Sequence, residues 1–191
     1  MNIRKITVGG LSIALSVLLP QAFHLIGSTQ AGKIFLPMHI PVLLGGMILG
    51  PVFGMLIGAT APAISALLTG MPPMVRLPFM IIELAGYGFA SGLIYKTIGF
   101  CNRKYGTVMS LVIAMLFGRI LYALTLFVAA DILGVTALGA IEAVKATVAG
   151  VYGIALQLLI IPALVYTLRK VGFYDLFNEK GKAGAAKTRL C

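Results

Sequence analysis

Four ionisable side chains, His24, His39, Glu83 and Arg119, stand in or at the edge of long apolar runs, and Gln157 is a milder case. In "IIELAGYG" (81–88) Glu83 is isolated, the nearest acids along the chain being Asp131 and Glu142. An ionisable group at such a position is costly, so it faces the interior of a bundle and has a partner. Glu83 and Tyr87 are four residues apart, and Arg119 and Tyr122 three apart, so each pair shares one face of a helix. A carboxylate, a guanidinium, an amide and several phenols are groups that recognise a polar ligand. Nothing in the chain supplies a nucleophile with its base, and the two histidines have no metal-ligand spacing, so an enzyme and a metal site are both disfavoured. The chemistry legible here is binding.

The elements that position these residues follow from composition. Of 191 residues, 60% are hydrophobic and 10% charged, with a mean hydropathy of +1.04. A soluble domain carries about a quarter charged residues, and apolar runs of about 20 residues are long enough to cross a bilayer. Strands of a membrane barrel would alternate apolar and polar residues, and no such alternation is present. The expectation is an all-α integral membrane protein. Six spans are expected, over 6–26, 37–50, 52–69, 78–96, 107–129 and 146–168, the second and third being short and joined at "LGPVFG". A membrane domain over 1–172 is followed by a basic tail, 173–191, expected to be disordered. The apolar part of "MNIRKITVGGLSIALSVLLPQAF" is too long for a cleaved leader and reads as the first helix.

Orientation follows from the basic residues. With the N-terminus inside, Arg4, Lys5, Lys96, Arg103, Lys104, Arg169, Lys170, Lys180, Lys182, Lys187 and Arg189 are cytoplasmic, and Lys33, Arg76 and Lys145 are outside. Both termini are therefore expected in the cytoplasm. The formal charge of +10 sits at helix ends and in the tail without aromatic interleaving, which argues against nucleic acid. The outer connections "GSTQAGKIFLPMHIP", "TGMPPMVRLP" and "DILGVTALGAIEAVK" are longer or odder than simple turns and suggest a lid over an outward-opening site. Cys101 and Cys191 are too few for a disulfide framework and are expected as free thiols. Glycines 46, 50, 54 and 58, with Gly88-x-x-x-Gly92 and Gly10-x-x-x-Ala14, read as small-residue helix contacts.

Depth narrows the candidates. At about 1.5 Å per residue, Glu83 lies roughly 8 Å below the outer end of the fourth helix. On the same scale Tyr122 and Arg119 lie roughly 10 and 15 Å down the fifth, and Tyr152 and Gln157 roughly 9 and 16 Å down the sixth. These residues, with Tyr87 and with His39 in "PMHIP", are the candidate ligand site. The alternative is that Glu83 and Arg119 pair with each other across the fourth and fifth helices. Their difference in height, roughly 7 Å on this scale, counts against that pair, although long side chains can close part of it. His24 reads as an interface residue.

The stretch "FLPMHIPVLLGGMILGPVFGMLIGATAPAISALLTGMPP" followed by "ELAGYGFASGLIY" resembles the substrate-binding S components of energy-coupling factor (ECF) vitamin transporters, most of all the pantothenate-type members. The resemblance implies a prokaryotic plasma-membrane protein that binds a vitamin from outside. It implies a membrane scaffold subunit and two ATPase subunits as partners. ATP and Mg would be used by those ATPases, with no cofactor bound by this chain. It also implies release inward by toppling, and docking on the scaffold through the small residues of the first helix, here Gly10 and Ala14, with Leu18 where a further small residue would extend the motif. For pantothenate, Arg119 would pair with the carboxylate, and Glu83, Tyr87, Tyr122 and Gln157 would meet its hydroxyls and amide. Folate, riboflavin, pyridoxine, niacin or a queuosine precursor remain alternatives within the family. A secondary transporter working alone would show inverted repeats or a relay of acids, and neither is found.

Overall fold

In the computed structural model the described residues are 3–103, 105–131 and 150–173, the side chains at 23–34, 102, 130 and 131 excepted. They are helical throughout, with no strand among them. Six α-helices follow one another: α1 (Ile3–Phe35), α2 (His39–Leu49), α3 (Pro51–Thr69), α4 (Leu77–Gly92), α5 (Gly106–Asp131) and α6 (Val151–Lys170). A π-turn over Leu93–Thr97 and a 3-10 turn over Phe100–Asn102 join α4 to α5.

Among the described residues five helices are long and apolar enough to cross a membrane, within Ile3–Ala22, Pro51–Thr69, Leu77–Thr97, Gly106–Ala129 and Val151–Lys170. The second expected span differs. At 11 residues, α2 is about 16 Å long, roughly half a hydrocarbon core. Its composition explains where it goes instead. A helix that is apolar on every side belongs inside a bundle, and α2 is buried over nearly its whole length, packed against α1, α3, α4 and α6.

Backbone chemistry sets the boundaries. Pro37 disfavours the right-handed helical region for the residue before it, and α1 ends at Phe35, where Leu36 turns with a positive φ of 48°. The helix therefore runs through much of the first outer connection, which was expected as loop. Nothing between Gly27 and Phe35 is a proline, and lone glycines do not stop a helix. Gly50, with φ 102°, makes the corner between α2 and α3, and Pro51 begins α3 where its missing N–H is not needed. The third outer connection beyond Asp131 and the tail beyond 173, with the tail expectation and that part of the lid expectation, fall outside the described residues. Cys101 is buried and is not a free thiol, against the sequence expectation. Cys191 lies outside the described residues.

The glycine spacing is spent on one seam. A Cβ on Gly54 would run into the carbonyl of Gly88, and one on Gly88 into the carbonyl of Gly54. Likewise Gly46 faces the Gly88 carbonyl, Gly58 faces that of Leu84, and Gly92 faces the Gly50–Pro51 peptide. The backbones of α2, α3 and α4 are thus in direct contact, as small residues allow in membrane helices. Ser91 Oγ donates across the seam to the Leu43 carbonyl at 3.1 Å, and Lys96 Nζ donates to the Ile48 carbonyl at 3.0 Å near the end of α2. Gly10 and Ala14 differ from the rest: both are exposed, and a Cβ on Gly10 would meet nothing within 4 Å.

Candidate functional site

The buried polar residues converge where α2, α4 and α5 meet. Arg119 Nη1 lies 3.0 Å from Glu83 Oε1, and the Tyr87 hydroxyl donates to the same oxygen at 3.0 Å. The His39 ring meets the Tyr87 ring edge-on, with centroids 5.1 Å apart and planes at 62°. Glu83, Tyr87 and His39 are all buried, while the Arg119 side chain keeps 14% exposure. The pairing of Glu83 with Arg119, which the sequence left as an alternative that height counted against, is the arrangement observed. The length of the arginine side chain makes up the difference in height between the two Cα positions.

A second link ties this cluster to α6. The Leu36 carbonyl accepts the backbone N–H of His39 at 3.1 Å and Gln157 Nε2 at 3.4 Å. Gln157 is buried on the face of α6 that also carries Gly153, Ile161 and Val165. A chain of contacts therefore runs from Gln157 through the Leu36 corner to His39, Tyr87, Glu83 and Arg119. Tyr122 is buried one turn from Arg119 on α5. Tyr152 departs from the expectation: it is 71% exposed, outside the cluster. His24 has no described side chain.

Hydrogen-bond accounting separates the saturated groups from those with capacity to spare. Glu83 Oε1 already takes a guanidinium N–H and a phenolic O–H. Arg119 uses Nη1 on Glu83, but its Nε and Nη2 are buried without an acceptor. Those two donors form the side-on edge of the guanidinium, which matches the two oxygens of a carboxylate. Both ring nitrogens of His39 are also buried without a hydrogen bond; the nearby Leu36 carbonyl interacts with the ring but is out of bonding geometry. A neutral imidazole offers one donor and one acceptor. Buried polar atoms in native proteins are almost always satisfied, and each orphan costs about 1–3 kcal/mol. The unmet demand is thus a pair of cationic donors beside a donor–acceptor ring. A small molecule with a carboxylate and a hydroxyl or amide meets that demand.

Sequence reasoning named most of this cluster but missed Leu36 and Gly118. The "LP" pair at 36–37 signals the end of a helix, although nothing in it predicts a carbonyl shared between α2 and α6. Gly118, directly before Arg119, is buried, and a Cβ there would lie 2.5 Å from both Cδ1 and Cε1 of Tyr87. A lone glycine inside an apolar helix carries no signal of which ring it admits.

The model of the family described as "ECF transporter, substrate-specific component" matches residues 4–168. No curated protein and no solved structure matches the chain.

Proposed function

Since the chain belongs to the substrate-specific components of ECF transporters, we propose that it binds a vitamin carrying a carboxylate, pantothenate first among them. It is a multi-pass membrane protein and the substrate-binding subunit of its transporter, not an enzyme. The observation that carries the substrate reading is the Arg119 side-on edge, two buried donors with no acceptor, next to the unbonded ring of His39. Pantothenate brings a carboxylate for the first and hydroxyl or amide groups for the second. In this reading Gln157 and Tyr122 complete the polar wall, and Glu83 with Tyr87 holds the guanidinium in place.

The remaining parts of the reading come from the family and the pattern of charge. Both termini are cytoplasmic, the bundle has six membrane helices with α2 enclosed by the others, and the cell is a prokaryote. The chain docks on a membrane scaffold subunit through the α1 face that carries Gly10 and Ala14, and two partner ATPases use ATP and Mg. The exposure of that face, with Leu11, Leu15 and Leu18 beside it, supports the docking site. Docked, the subunit topples and releases its vitamin inward.

The test is a ligand panel on the detergent-solubilised protein, read by melting temperature and then by calorimetry. A ligand at 100 times its Kd stabilises by about 2.7 kcal/mol, so pantothenate raises the melting point where riboflavin, folate, pyridoxine, niacin, biotin and queuine do not. Arg119→Lys keeps the charge but loses the side-on edge, and weakens pantothenate roughly 10- to 100-fold, as loss of a charge-assisted bond does. A shift with riboflavin, pyridoxine or queuine alone, or an Arg119→Lys protein that binds pantothenate as before, rules the carboxylate reading out, whereas a shift with folate, niacin or biotin alone keeps it and rules out pantothenate.

A further inference from the structure

We infer that Gly118 is a positioning residue for the ligand site: its missing side chain is the notch that seats the Tyr87 ring, and through that ring it sets Glu83, Arg119 and His39. This rests on the reading of the cluster as the ligand site.

The geometry forms a closed circuit between α4 and α5. The Tyr87 ring lies against the α5 backbone at Gly118, where a Cβ would stand 2.5 Å from Cδ1 and Cε1 and 2.9 Å from Cγ. Three ring carbons are involved, so the obstruction would be the body of an aromatic ring and not the loose end of a flexible chain. From that seat the hydroxyl reaches Glu83 Oε1 at 3.0 Å, and the same oxygen meets Arg119 Nη1 at 3.0 Å. Arg119 follows Gly118 in the chain, so the circuit closes on itself. The ring also supports His39, its centroid 5.1 Å away. Tyr87 is 2% exposed and packed interiors resist even one added methylene. A methyl group at 118 therefore displaces the ring, and with it the acceptor that fixes which guanidinium edge is left over for a ligand.

The same helix pair contains a natural control. A Cβ on Gly86 would lie 2.5 Å from Leu121 Cδ1, the far end of a flexible side chain. Gly86→Ala crowds the α4–α5 contact without touching the Tyr87 ring.

The experiment measures melting temperature without ligand for the wild type, Gly118→Ala, Tyr87→Leu, the double variant and Gly86→Ala, then the pantothenate Kd of the wild type and both alanine variants. Expected is a fall of roughly 3–10 °C for Gly118→Ala, the range of an overpacked core, and almost none when the same change is made in the Tyr87→Leu background. Pantothenate affinity falls roughly tenfold or more in Gly118→Ala and stays within roughly twofold in Gly86→Ala. Additive melting shifts overturn the notch, and so does equal affinity in Gly118→Ala and the wild type, or an equal loss in both alanine variants. If Gly118→Ala fails to fold, recovery in the double variant supports the notch and failure of both overturns it. If pantothenate does not bind the wild type, the substrate reading falls, while the ligand-free melting cycle still decides whether Gly118 seats Tyr87.

Discussion

The two faces of α4 are built on opposite principles. Toward α2 and α3 it presents Gly88 and Gly92, and backbone meets backbone with no room for a single methyl group. Toward α5 it presents Glu83 and Tyr87, and the contact is made by side chains reaching for one another, with donors on Arg119 left over. A glycine seam has one arrangement, because carbonyl and Cα surfaces do not rotate out of the way. A side-chain seam has several, because an arginine can keep one partner and accept another. The difference separates the part of the molecule that holds shape from the part with capacity to respond to a ligand.

The comparison is broken most severely on the rigid side. Gly88→Val puts a branched side chain against the Gly54 carbonyl, and neither backbone can yield without parting α3 from α4. Overpacking of an ordinary core costs about 1–3 kcal/mol; a collision with backbone on two helices belongs at or beyond the top of that range. The variant is expected to lose its monodisperse peak on size exclusion, or to melt at least roughly 10 °C below the wild type. A Gly88→Val protein that behaves normally would show that the seam is looser than the geometry says.

The responsive side is sharpened by removing the cation and then its counter-charge. Arg119→Ala leaves the Glu83 carboxylate buried without its ion partner, a loss of about 3–5 kcal/mol for a broken buried pair. Adding Glu83→Gln removes the stranded charge, while the Tyr87 hydroxyl still has an oxygen to bond. The double variant is therefore expected to recover most of the melting temperature and none of the pantothenate affinity. Recovery of both would make Arg119 a structural residue only. Recovery of neither would mean that the amide introduced by Glu83→Gln cannot satisfy the Tyr87 hydroxyl, and Tyr87→Phe in the same background would then restore stability.

How much of this was readable beforehand depended on whether a feature is local. Gly54 with Gly58, and Gly88 with Gly92, gave away the rigid seam because four-residue spacing puts each pair on one face of its helix. Glu83 announced itself because a carboxylate in an apolar run needs a reason. The Glu83–Arg119 contact was readable only as an alternative, since a rise per residue fixes the height of a Cα and leaves the reach of a side chain open. Whether α2 crosses the membrane was not readable, because an apolar run looks the same whether it spans lipid or hides inside a bundle. Gly118 was silent for a related reason: which ring it seats is decided by the neighbouring helix.

Tyr152 completes the set, with the smallest effect. Depth alone put it beside Gln157, the two being five residues apart on α6. Five residues turn a helix through roughly 500°, which leaves the two side chains roughly 140° apart around the axis. Gln157 takes the buried side, with Gly153, Ile161 and Val165, so Tyr152 is turned outward and is 71% exposed. Surface changes away from a site usually stay within about 0.5 kcal/mol. Tyr152→Ala is accordingly expected to change pantothenate affinity by less than roughly threefold, whereas Gln157→Ala cuts the link to the Leu36 corner and weakens binding more. The two variants, titrated side by side, ask whether height or azimuth decides membership of the site. A larger loss from Tyr152 than from Gln157 would mean that the site extends beyond the buried cluster.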